Sequence, residues 1–126
     1  MSIDQAVYET LGQYAGLSAL VGARIYPEVA PQDVARPYVV WQEISRTPEG
    51  DLDGTVSSSG LENVHVQVTC WATTRLSADA VRAQARLAME AATQFKAFAS
   101  ALRSLGYESD TKLHGAQADF SIWWRS

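Results

Sequence analysis

Hydrophobic positions in this chain repeat with two periods, and the switches between them mark its elements. Ile3, Val7, Leu11 and Tyr14 recur at close to helical spacing. Ser2 is placed to cap that run, with Gln5 three residues later as its capping-box partner. Gly16 suits the left-handed position beyond the last turn. The pattern predicts a helix over about 3–15, then a short turn over Ser18–Gly22. Arg24–Tyr26 reads as a brief strand, short or at an edge, because Pro27 cannot donate a ladder hydrogen bond. Residues 27–37 hold three of the four prolines and read as a connecting loop of restricted shape.

The period then shortens to two. Tyr38–Arg46 is rich in β-branched and aromatic residues, with Tyr38, Val40 and Ile44 on one side and Val39 and Trp41 on the other. Apolar groups on both sides predict a strand inside a sheet. Residues 47–60 show no period; they are glycine, serine and acids, and predict a long flexible loop. Asn63–Thr73 alternates most cleanly. Val64, Val66, Val68, Cys70 and Ala72 face one way; His65, Gln67, Thr69 and Trp71 face the other. The two strands predict an antiparallel hairpin with the long loop at its tip.

Helical spacing returns from Ser77, which reads as the cap of a long helix over 77–103 containing ten alanines. Val81, Ala85, Ala88, Ala92 and Phe95 form its apolar stripe. A break near Lys96 is allowed, with Phe98, Leu102 and Leu105 continuing the apolar side. Gly106 ends the helix in this reading. Tyr107–Lys112 reads as a strand and His114–Gly115 as a turn. Ala118, Phe120, Ile122 and Trp124 then alternate with Asp119, Ser121, Trp123 and Arg125 in a final strand. The sum predicts an α+β fold: a single mostly antiparallel or mixed sheet, with an N-terminal helix and a long Ala-rich helix packed on one face. One domain spans 1–126. The opposite sheet face should carry His65, Gln67, Thr69, Trp71 and Trp123. Aromatic anchors among polar groups fit a protein interface; a covering loop is the plainer alternative.

Composition narrows the function classes. The 126 residues suit one domain, and 47% hydrophobic content supports one real core. A net charge of −4 argues against binding that works by neutralising phosphates. Cys70 stands alone, so no intramolecular disulfide forms. The N-terminal residues lack the basic and apolar runs of a signal peptide, and no apolar stretch reaches membrane-spanning length. These features predict folding in a reducing cytoplasm.

Candidate chemistry is sparse. His65 and Cys70 lie five apart on one strand, hence on opposite faces, and cannot share a metal with His114. Asp51, Asp53 and Glu62 echo a calcium loop, but Val56 stands where that loop needs glycine. Ser57–Gly60 is no nucleophile elbow, and no glycine-rich phosphate loop precedes a helix. The carboxylates Glu49, Asp51 and Asp53 sit on the predicted loop without implied burial. Arg75, Arg82 and Arg86 cluster near the start of the long helix, and Arg82 and Arg86 share one side of it. A solvated or inter-subunit face explains them better than a nucleic-acid groove. No enzymatic activity, cofactor or metal is expected.

Several short stretches, in order, resemble one family. Leu17–Gly22 is followed by Arg24–Pro27, then Pro31-Gln32 and Arg36–Val40. Asp51–Gly54, Val66–Ala72, a long helix and Asp119–Trp123 complete the series. Together they resemble phage and prophage tail-completion, or tail-terminator, proteins. The resemblance implies a structural subunit, generally of a homohexameric ring, at the head-proximal end of a long tail. It implies the tail tube protein and the head–tail connector as partners, DNA only as passing cargo, and no membrane. Assembly in the host cytoplasm and residence in the virion neck follow. Trp71, Trp123, His65 and Gln67 would form one contact patch; Arg75, Arg82 and Arg86 the other, meeting Glu49, Asp51 and Asp53. The alternatives are another neck component, such as a head–tail joining or stopper protein, or a small α+β ligand-binding module.

Overall fold

The computed structural model of the chain describes residues 2–48 and 61–125. Helix α1 runs Ile3–Gln13, and the Ser2 hydroxyl accepts from the Gln5 N–H at 3.1 Å to cap it. The predicted 3–15 helix stops early. Tyr14 is extended, and a separate helix α2, Ala15–Val21, begins there. Gly16 therefore lies inside α2 rather than beyond α1. A Cβ at that position would run into the Gln84 side chain of the helix packed against it, so Gly16 serves close approach. Gly22, at φ +59, closes α2.

Strand β1, Ile25–Pro27, pairs in parallel with β2, Tyr38–Pro48. β2 pairs antiparallel with β3, Leu61–Ala72, as the alternation predicts. Helix α3 spans Arg75–Glu90, capped by the Thr74 hydroxyl accepting from the Ser77 N–H at 3.1 Å. Ser77 is thus inside the first turn and not the cap.

The long helix over 77–103 is not formed. α3 ends where the Ala91 N–H turns back to Leu87 and Met89, and Lys96–Glu108 is strand β4. The alanines there serve a different purpose. Ala97 is buried and Ala99 half-buried beneath α3, while Phe98 between them faces away. Small side chains let the helix lie close to the sheet, and that packing overrides their intrinsic helix preference. Gly106 sits at φ +74 beside a bulge, within the strand instead of at a helix end. The predicted strand 107–112 and turn 114–115 merge into one long hairpin. β5 covers Leu113–Arg125, and the connecting turn centres on residues 109–112, with Lys112 at φ 60.

Sheet order is β1-β2-β3-β5-β4, a mixed five-stranded sheet. With α1–α3 packed on one face, the architecture is α+β. The core lies between: Ile3, Leu11, Leu17, Met89, Phe120 and Ile122 are fully buried. Every second residue of β3 and β5 points into it, which leaves the intervening residues on the other face.

Candidate functional site

No helix among the described residues covers that second face. The strand registers set its rows. Trp123 stands beside Lys96 and Asn63; Ser121 beside Phe98 and His65; Asp119 beside Ala101 and Gln67. Gln117 stands beside Arg103 and Thr69, and Gly115 beside Gly106 and Trp71. All four residues that the alternation places here from β3, His65, Gln67, Thr69 and Trp71, share the face with Trp123.

The middle of the face is a continuous hydrogen-bonded chain across three strands. Gln67 Nε2 donates to Asp119 Oδ1 at 3.2 Å. Arg103 Nη2 donates to Asp119 Oδ2 at 2.6 Å, and its Nη1 to Gln117 Oε1 at 2.8 Å. Gln117 Nε2 then donates to Thr69 Oγ1 at 3.0 Å. Nearer the Trp123 end, Asn63 Nδ2 donates to Ser121 Oγ at 2.9 Å. Each side chain fixes the next, so the face is polar but held in one arrangement. A preordered polar surface loses little side-chain entropy when a partner docks.

Aromatic groups bracket this chain at both ends. Trp123 is 38% exposed and Phe98 59%, diagonal neighbours on β5 and β4 near one end. Trp71 is half-buried at the other end, its ring lying over Gly115, where a Cβ would come within 2.8 Å of Trp71 Cζ3. Gly115 and Trp123 are eight positions apart on β5, so the tryptophans mark ends roughly 27 Å apart and form no single patch. Beside Trp71, an open groove of about 340 Å³ is lined by Val29, Tyr38, Leu105, Glu108 and Leu113 among others. The Tyr38 hydroxyl in it has a raised pKa, chiefly from burial; Arg36 opposes the shift and Glu108 adds to it. This groove is no closed ligand pocket, and Trp123 takes no part in it.

The arginines lie on the helix side of the sheet. Arg82 Nη1 donates to the Arg103 carbonyl at 3.0 Å, and Arg86 Nε to Glu90 at 2.9 Å. Arg75 is exposed at the start of α3. The tryptophan face and the arginine cluster are therefore separate surfaces that meet along β4. Glu49, Asp51 and Asp53 lie outside the described residues. Sequence reasoning missed Arg103 and Phe98 because both were assigned to the helix. It missed Asp119 and Gln117 as members of a network because their partners sit on strands far away in the chain.

Metal and nucleophilic chemistry find little here. No group of three or more His, Cys, Asp or Glu among the described residues could hold a metal ion. Cys70 is buried on the core face, and burial pushes its thiol up to about 12, against a weaker lowering by Arg82. No helix among the described residues is long and apolar enough to cross a membrane.

A family model for tail completion protein gp17 matches residues 5–125. The chain belongs to that family. Membership makes it a structural protein of a phage tail, in a family that is not normally enzymatic. Among solved structures, a chain from the virion of a native gene transfer agent particle matches with a TM-score of 0.76 at 18% identity. That match covers 99% of this chain and 96% of the other, and shows that the fold is shared. No curated protein matches.

Proposed function

We propose that this tail completion protein forms a ring, generally hexameric, at the head-proximal end of a long tail. There it ends tail-tube polymerisation and presents the docking surface for the head–tail connector. The observation that carries this reading is the uncovered sheet face: a fixed polar chain bracketed by Trp71 at one end and by Trp123 and Phe98 at the other. Large aromatics at the margins of a polar, preordered surface supply anchoring contacts, and the polar middle supplies registration. Surface matching, not reaction, is the mechanism. His65, Gln67, Trp71 and Trp123 contact the tube or neck, and Arg75, Arg82 and Arg86 contact a neighbouring subunit. Glu49, Asp51 and Asp53 belong to the same assembly surfaces. A net charge of −4 suits a channel through which DNA passes without sticking. Assembly takes place in the host cytoplasm.

Deletion of the reading frame from its source genome, with lysates viewed by negative-stain electron microscopy, tests the role. Overlong or headless tubes, restored to uniform length by the expressed chain, support termination. Tails of normal length lacking only heads assign it to head–tail joining instead. Intact virions overturn both. Complementation with Trp71→Ala or Trp123→Ala separates the residues: each is expected to leave a folded subunit that completes tails poorly. Full complementation by either variant removes that tryptophan from the docking surface.

A further inference from the structure

The sheet has two edges of opposite character, and they bear on how one copy meets the next. One edge is β4 with the outer side of α3. Here Leu76 is 82% exposed, Leu87 49% and Leu102 45%. Between α3 and β4 runs a groove of about 410 Å³, lined by Asp79, Arg82, Ala83, Arg86, Leu87 and Leu102. Arg75, Arg82, Arg86 and Lys96 outnumber Asp79 and Glu90 on this side. The other edge is β1 with the outer side of α1. A notch of about 290 Å³ there is lined by Tyr8, Gly12, Ala23 and Ile25 with Glu9 beside it. Tyr8 is 48% exposed. Asp4 and Glu9 of α1 are the acids of this edge, and Glu9 also accepts from Gln94 Nε2 at 3.2 Å. Cations are engaged on both edges: here Arg24 Nε donates to the Pro37 carbonyl at 2.9 Å and Arg46 Nε to Glu43 at 2.7 Å, and on the other edge Arg82 pairs with Asp79 at 3.7 Å and Arg86 with Glu90 at 2.9 Å.

Resting on the ring reading above, we propose that the β4–α3 edge of one copy seats against the α1–β1 edge of a second copy. Apolar groups stand on both edges, Leu87 and Leu102 on one and Tyr8 and Ile25 on the other. After those pairs Arg75 and Lys96 remain in excess on one edge, while Asp4 and Glu9 outnumber Arg24 on the other. Pairing β4–α3 with itself would set the excess positive charge of Arg75 and Lys96 against its own copy, which selects against a two-fold contact. Two different patches on opposite edges make a heterologous contact, the kind that closes rings. Side chains make the contact rather than an extended strand ladder. The register of β4 is broken at Ala99/Ala101 and again at Ser104/Gly106, so it offers no straight run of backbone groups.

Thiol cross-linking of the full chain tests the geometry. Leu87→Cys and Tyr8→Cys are introduced singly, and Cys70, being buried, stays silent toward a short bismaleimide. Circular dichroism confirms that both variants fold. The reaction is run at concentrations where the chain assembles, and in tails isolated from complemented lysates. The expected result is no dimer from either variant alone, dimers from their mixture, and a ladder of multimers from the double variant. Dimers from Leu87→Cys alone overturn the proposal in favour of a two-fold contact. Rings visible by microscopy without cross-links in the mixture overturn the edge assignment while leaving the ring standing. Absence of rings in solution and in tails removes the ring and this contact together.

Discussion

At the scale of the residue, two buried positions make measurable demands. Burial pushes the Cys70 thiol from its ordinary value of 9.0 up to about 12 in the folded chain. The unfolded thiol therefore loses its proton first. The stabilising effect of burying the neutral thiol is complete below pH 9 and declines as pH rises toward 12, by about 1.4 kcal/mol per pH unit. Urea unfolding at several alkaline pH values should show that slope reduced in Cys70→Ala, with the two chains differing by a constant amount below pH 9. Gly115 makes a steric demand. A Cβ there meets Trp71 Cζ3 at 2.8 Å and Leu105 Cβ at 3.0 Å. Gly115→Ala must lift the indole or shift β4, at a cost of about 1–3 kcal/mol. A lowered denaturation midpoint checks the cost, and weaker tail completion at a temperature where the variant stays folded checks that Trp71 has moved.

At the scale of the element, the cap of α3 is a single side chain. Thr74→Ala removes the hydroxyl that accepts from Ser77 and should lower stability by about 1 kcal/mol, read as an earlier urea midpoint with an unchanged slope. Period-two alternation was legible wherever one face was buried, so β2, β3 and the end of β5 are plain in the sequence. β4 was not legible. Its alanines are good helix formers, and only α3 lying across them makes a strand of small residues the better packing. Likewise the break at Tyr14 depends on α2 closing onto α3 through Gly16, a contact between segments about 70 residues apart in sequence. Local pattern cannot register such a contact, because the neighbour that decides it is remote.

At the scale of the whole molecule, the uncovered sheet face was half legible. The tryptophans could be placed on one face by counting alternate positions, but their separation required the register. The polar chain from Gln67 to Thr69 required β4, which supplies Arg103. The opposite charge of the two edges carries a consequence for solution behaviour. Self-association should be strongest in dilute buffer and should weaken as salt rises from about 0.01 M to about 1 M, while the screening length contracts from about 30 Å to about 3 Å. Sedimentation velocity at fixed protein concentration measures this; an unchanged distribution would assign the contact to its apolar groups alone. The interrupted edge of β4 has a further consequence, for unwanted strand addition. An open thirteen-residue edge is a template onto which any stray strand can add. Two bulges deny that template a regular register, which leaves this edge to side-chain contacts in place of strand addition.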